Sequence, residues 1–138
     1  LQGIKVIEVS QVLAAPFCGY QFSLLGAEVI KVELPDTFFF EHSLGSVLGR
    51  AKYGEHLFVM QGCTIGGTKQ GSPNIGNGLC LYSNSKIIGN CTIGDHVIMA
   101  ANSYIKDLDI PDNTTVFGQY PNHILKANKE PESFFKTL

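Results

Sequence analysis

A step of six constrains this chain more than any other feature. Starting at Ile75, the positions Leu81, Ile87, Ile93, Met99 and Ile105 are all large and aliphatic, and an earlier run of Val47, Tyr53, Val59 and Ile65 keeps the same spacing. A fixed period decides architecture before local propensity does. Four residues after the periodic positions stand small or medium side chains: Ala51, Cys63, Leu79, Ser85, Cys91, Val97 and Ser103. Gly and Asn crowd the turns between them, as in Gly76, Asn77, Gly78, Asn84, Gly89, Asn90 and Asn102. The spacing predicts a triangular coil. Each hexad is one short flat strand with its aliphatic residue on the axis, and Gly or Asn takes the tight corner because both tolerate positive φ. At three hexads per coil, the four and six phased positions predict roughly three coils. No coil is stable alone, so stacking supplies the core. A sandwich of short strands is the alternative, but strand-and-turn patterns do not hold a six-residue phase from Ile75 to Ile105 without slip. The density of Gly and Asn excludes a helical period.

The phase breaks once. From Ile65 to Ile75 the step is ten, so four residues are inserted and the stretch GGTKQGSPN is expected to project as a loop. Gly66 and Gly67 there leave backbone N–H groups for a carbonyl or amide, and Lys69 suits a phosphate. A plain surface insertion is the other reading. Lys106, after the Ala100–Ser103 turn, reads from the residues alone as an exposed lysine.

The remaining composition narrows the partners. The net charge is −2 with scattered Lys and Arg, which disfavours nucleic-acid and membrane-surface binding. Apolar runs are short and interrupted, so no membrane span is expected, and neither is a secretory signal. Cys18, Cys63, Cys80 and Cys91 form no CxxC pair, so no metal site and no disulfide framework is expected. They read as small buried hydrophobes in a reducing cytoplasm.

Residues 1–36 have another texture. IKVIEVS and AEVIKVE read as strands, and AAPFCGYQFSLLG between them reads as a helix with Pro16 in its first turn and Gly26 past its end. The expected organisation is a strand–helix–strand segment over 1–36, a β-helix over 37–118, and a C-terminal cap or tail over 119–138. After Pro121 a short capping helix or a loose tail is expected to cover the last coil.

From His42 to Lys126 the text HSLGSVLGRAKYGE, VMQGCTIGGTKQGSPNIGNG and IIGNCTIGDHVIMAANSYIKDLDIPDNTTVFGQYPNHILK resembles the hexapeptide-repeat acyltransferases, most closely the serine O-acetyltransferase branch. The resemblance implies a left-handed parallel β-helix and a homotrimer with sites in the clefts between neighbouring prisms. It implies acetyl-CoA as co-substrate and a small-molecule acceptor whose hydroxyl or amine receives the acetyl group. His42 falls where that family carries its general base; a capping His at the mouth of the coil is the other reading. Glu41, where the family often has Asp, either orients the imidazole, binds an acceptor amine or is a solvated carboxylate. The resemblance implies cofactor contacts from Gly66, Gly67, Thr68 and Lys69 on the loop and from Ala101 and Lys106 further on. His56, His96 and His123 read as surface residues. One departure stands out. The serine acetyltransferases carry a second active-site His before the Pro of the loop, whereas this chain has Ser72 before Pro73. That puts serine as acceptor in doubt, though not acetyl transfer. The alternative is a non-catalytic trimeric scaffold left after loss of the acceptor-binding domain.

The segment LQGIKVIEVSQVLAAPFCGYQFSLLGAEVIKVELPD resembles the start of the family III CoA-transferases. That family's catalytic Asp has no counterpart in this sequence, so its chemistry is not carried over, and Ala14, Ala15 and Pro16 are not assigned to a site.

Overall fold

The computed structural model describes residues 2–9, 23–32 and 34–128, and the chain divides into two compact units, Leu1–Leu34 and Pro35–Leu138. In the first unit β1 (Lys5–Val9) pairs in parallel with β2 (Glu28–Val32), in the register Lys5↔Glu28 through Val9↔Val32. A parallel pair needs a long crossover. The helix expected there falls mostly on residues 10–22, outside the described residues; 23–24 carry helical backbone and Gly26 follows at φ 84°. Lys5 Nζ and Glu28 Oε2 stand 3.1 Å apart across the pair, an exposed ion pair that contributes little.

The second unit is a coil with three faces. The first face carries β3 (Phe38–Phe40), β5 (Leu57–Val59), β8 (Cys80–Leu81), β11 (Ile98–Met99) and β13 (Thr114–Phe117), all parallel. The second carries β4 (Val47–Leu48), β6 (Thr64–Gly66), β9 (Lys86–Ile88) and β12 (Tyr104–Lys106). The third is β7 (Asn74–Ile75) and β10 (Thr92–Ile93), extended by single bridges to Lys52 below and Ile110 above. The chain visits the three faces in strict rotation, which makes a left-handed parallel β-helix of about four turns. That exceeds the three coils expected from the phased positions, because Phe38–Phe40 opens a coil before the phase starts and Ile110 and Val116 continue it after Ile105.

Register fixes which residues face the axis. Val59, Leu81, Met99 and Val116 align on the first face, Leu48, Ile65, Ile87 and Ile105 on the second, and Ile75, Ile93 and Ile110 on the third. All but Leu48 are at most 5% exposed. Each such aliphatic side chain contributes about 1.5–3 kcal/mol by leaving water. The small-residue column holds from the second coil on, with Cys63, Leu79, Ser85, Cys91, Val97 and Ser103 buried, whereas Ala51 is half-buried. Val47 does not hold. It pairs with Thr64 and is 59% exposed, while Leu48 takes the axial position opposite Ile65. The Gly49–Ala51 corner is one residue short of the six-step, so the inward residue shifts by one.

The C-terminal end differs from the expected helix or loose tail. Residues Ile124–Ala127 form β14, antiparallel to β13 with Phe117 opposite Ile124. The Thr115 hydroxyl donates to Asn128 Oδ1, and Asn128 Nδ2 donates to His96 O at 2.8 Å. These bonds satisfy the end of an otherwise open sheet. Residues 129–138, with Phe134 and Phe135, lie outside the described residues. Among the described residues no helix is long and apolar enough to cross a membrane.

Candidate active site

The corner between the first and second faces holds His42. In the first coil it is the 41–46 turn from β3 to β4, where the Glu41 N–H donates to Val59 O at 2.9 Å and the Leu44 N–H donates to His42 O at 2.6 Å. His42 adopts φ 50°, as His56, Asn84, His96, Asn102 and Asn113 do at other corners with φ between 52° and 62°. Left-handed backbone is therefore ordinary corner geometry in this coil and not strain peculiar to His42. The imidazole is exposed and makes no hydrogen bond with the described residues. It borders an open depression of about 770 Å³ lined by His42, Ser43, Leu44, Gly45 and Gln61.

Glu41 is half-buried but does not line that depression, and no hydrogen bond joins it to His42. Its charge is felt instead at Tyr82, whose hydroxyl is pushed up first by burial and then by Cys80 and Glu41.

The same corner continues upward through backbone bonds: Gly62 N–H to Leu44 O at 3.0 Å, Asn84 N–H to Gln61 O at 2.9 Å and Asn102 N–H to Ser83 O at 2.9 Å. Ala101 is exposed in the turn three rungs above the His42 turn. At about 4.8 Å per rung it stands some ~14 Å along the corner.

The ten-residue step forms the next corner, between the second and third faces. Gly66 closes β6, and the Thr68 N–H donates to Gly71 O at 2.7 Å, which turns the loop back on itself with Lys69 and Gln70 exposed at its tip. The Gly67 N–H has no partner among the described residues. A Cβ on Gly67 would lie 2.8 Å from Gly71 O, so the tight return requires glycine there. Pro73 is buried and its carbonyl accepts the Lys52 N–H at 2.9 Å; Ser72, just before it, is half-buried. Lys106 lies over this corner too, because β12 and β9 pair Lys106 with Ile88 and β9 and β6 pair Ile88 with Gly66.

The eight residues singled out in the sequence therefore fall on two corners of the prism. His42, Glu41 and Ala101 share one; Gly66, Gly67, Thr68, Lys69 and Lys106 share the other. A whole second face separates them. Four lining residues, Ser43, Leu44, Gly45 and Gln61, were not singled out in the sequence. Gln61 becomes visible only once the coil length is known, since it sits one coil above His42. Two of the other histidines are less exposed than expected: His96 and His123 are half-buried, and each has a buried Nδ1 without a partner among the described residues. Cys63, Cys80 and Cys91 are free and buried, and Cys18 lies outside the described residues.

Comparison with known proteins follows the same division. Residues 72–107 match the bacterial transferase hexapeptide model, and residues 1–38 match the CoA-transferase family III model. The serine acetyltransferase of Staphylococcus xylosus is 36% identical over 95 residues, covering 65% of this chain and 43% of the relative. That of Staphylococcus epidermidis is 38% identical over 93 residues, covering 64% and 43%. Among solved structures, Neisseria gonorrhoeae serine acetyltransferase in complex with serine aligns with a TM-score of 0.54 at 32% identity, over 59% of this chain and 34% of that one. The Brucella abortus enzyme in complex with coenzyme A aligns with a TM-score of 0.57 at 27% identity, over 66% and 37%. This chain spans less than half the length of the curated relatives it matches. Its coil is a hexapeptide-repeat left-handed β-helix similar to that of the serine acetyltransferases, joined to a segment similar to the start of the family III CoA-transferases.

Proposed function

We propose that this protein is an acetyl-CoA-dependent acetyltransferase acting on the hydroxyl, or amine, of a small acceptor, with His42 as general base. The carrying observation is an exposed imidazole, uncommitted to any hydrogen bond with the described residues, at the edge of an open depression on a coil similar to serine acetyltransferases. An alcohol is a poor nucleophile at neutral pH. An imidazole titrates near neutrality and can take the hydroxyl proton as the oxygen attacks the thioester carbonyl. The tetrahedral intermediate then expels the CoA thiolate, which recovers the proton from the imidazolium. The products are the acetyl ester and free CoA thiol.

The two-corner arrangement supports a homotrimer. The thioester carbon and the acceptor oxygen must approach to about 3–3.5 Å. Within one chain the His42 corner and the loop corner lie at opposite edges of the second face. In a ring of three prisms, the His42 corner of one copy meets the loop corner of the next, as a heterologous cyclic contact requires. Gly67 N–H, Thr68, Lys69 and Lys106 would then hold the cofactor across the cleft from His42, with Ala101 above it. The free buried thiols suit the reducing cytoplasm expected for this enzyme.

The second reading is a scaffold without catalysis, favoured by Ser72 standing where the relatives' second His is expected. One measurement separates the two. A native-state ligand raises the melting temperature by mass action. Acetyl-CoA at millimolar concentration is expected to raise it, and CoA thiol release with an acceptor is expected to disappear in His42→Ala while the oligomer persists. Absence of any shift with acetyl-CoA leaves the scaffold.

A further inference from the structure

Corner amides along the His42 edge are mostly consumed by the coil itself. Asn84 Nδ2 donates to Asn102 Oδ1 at 3.3 Å, and Gln119 Nε2 donates to Asn102 O at 3.2 Å. Gln61 occupies the same edge one rung below Asn84, yet its carboxamide makes no hydrogen bond with the described residues. Only its backbone carbonyl is engaged, by the Asn84 N–H at 2.9 Å and the Cys63 thiol at 3.7 Å. The carboxamide is exposed and borders the depression that holds His42. The Ser43 hydroxyl lines the same depression and is likewise uncommitted. Leu44, 89% exposed, supplies an apolar wall.

The chemistry of that lining is neutral. Besides His42, the described residues around the depression are Ser, Leu, Gly and Gln, with no carboxylate, ammonium or guanidinium. A carboxamide offers both donor and acceptor, and a serine hydroxyl does the same. This pair is complementary to a hydroxyl, which also donates and accepts. Within one prism it offers no countercharge to the carboxylate or ammonium of an amino acid, and the lysines across the proposed cleft, Lys69 and Lys106, are assigned to the cofactor.

We infer that Gln61, with Ser43, selects a neutral acceptor carrying a second hydroxyl beside the one that is acetylated, a vicinal diol of the kind found on a sugar ring or polyol. His42 takes the proton from the reacting hydroxyl, and Gln61 and Ser43 read its neighbour. A site built to pair a hydroxyl discriminates strongly against an analogue that lacks it, because its own polar groups are then left unpaired. The inference rests on the acetyltransferase reading and names the substrate class of that same site.

The test compares kcat/KM for CoA thiol release with acetyl-CoA and four acceptors: a methyl glycoside, glycerol, a monohydric alcohol and L-serine. Wild type is expected to favour the diols over the monohydric alcohol and over serine by at least about tenfold. Gln61→Leu, a change at an exposed side chain, is expected to collapse the diol-to-monohydric ratio to within about threefold, while Gln61→Asn retains part of it. A structural role alone would shift the melting temperature and leave that ratio intact. Preference for serine over both diols, or an unchanged ratio in Gln61→Leu, overturns the inference and leaves the acetyltransferase reading standing. Release with none of the four acceptors overturns both.

Discussion

The side-chain oxygen of Asn77 accepts the backbone N–H of Glu55 at 2.9 Å, and this bond is one rung of a ladder. Above it Asp95 Oδ1 accepts the Asn77 N–H at 2.7 Å, and Asp112 Oδ1 accepts the Asp95 N–H at 2.8 Å. Each corner between the third and first faces is thus closed by the coil above it. Gly76 makes this possible, since a Cβ there would lie 2.5 Å from Asp95 Oδ1 and 2.8 Å from the Gly94 carbonyl carbon. Asp95→Ala should therefore cost about 1–2 kcal/mol, the loss of one charge-assisted bond. Gly76→Ala should cost more, because backbone has to move. Chemical denaturation of both variants checks the order; equal stability of Gly76→Ala and wild type would exclude the close-approach argument.

Glu55 also ties down the start of the coil. Its carboxylate accepts from the Thr37 hydroxyl at 2.5 Å and from the Thr37 N–H at 2.9 Å. These bonds, the hydroxyl first, hold the carboxyl below its usual range. A depressed folded-state pKa gives stability that is present above the unfolded value, near ~4.3, and is lost as pH falls through the folded value. Acid unfolding should accordingly be less steep below pH ~4.5 in Glu55→Gln than in wild type. An unchanged acid limb in that variant would show that the Thr37 contact carries no linkage.

Burial pushes the Cys80 thiol up to about 12. The thiolate is the reactive form, so Cys80 should be almost inert at pH 8 in the folded protein. Iodoacetamide followed by peptide mapping is expected to label Cys80 only in denaturant. Rapid labelling of the native protein at pH 8 would contradict its burial on the first face.

Tyr53 replaces an aliphatic residue on the third face, and its hydroxyl donates to Gly49 O at 2.7 Å. Burial raises its pKa. A raised folded-state value means stability fully present below the unfolded pKa, near ~10, and lost as pH climbs through the folded value. Tyr53→Phe should cost about 1 kcal/mol at neutral pH through the orphaned carbonyl and should flatten the alkaline loss above pH ~10. Circular-dichroism melts at pH 7 and pH 11 measure both effects.

The coil was legible in the sequence because its aliphatic phase answers to one repeated packing requirement. Ile75 through Ile105 face the axis as the period says. The phase failed at Val47, where a corner shortened by one residue moved the axial role to Leu48. It could not identify β14 either, since Ile124–Ala127 becomes a strand only by finding the exposed edge of β13, and tertiary context outweighs propensity in so short a run. At the site, His42 was visible through its motif. Gln61 was not, because an exposed glutamine in a turn carries no pattern until the coil length sets it above His42. The separation of His42 from the Gly66–Lys69 loop was hidden for the same reason: the distance along the chain says nothing about which corner a residue occupies.

That separation gives the sharpest prediction. If each active site joins the His42 corner of one copy to the loop corner of the next, two differently disabled proteins should rescue each other. Take His42→Ala as one, and as the other a loop variant, Gly67→Val, whose new side chain would collide with Gly71 O. Each alone is expected to be inactive. Mixed at equal amounts, dissociated and reassembled at random, they should regain about a quarter of wild-type activity per site, since a given cleft is intact only when both of its halves come from the undamaged partner. A site held within one chain predicts no recovery at all, because every chain in the mixture carries one lesion. Mass spectrometry of the reassembled mixture verifies that hybrids formed, so inactivity of proven hybrids would place the whole site on a single prism.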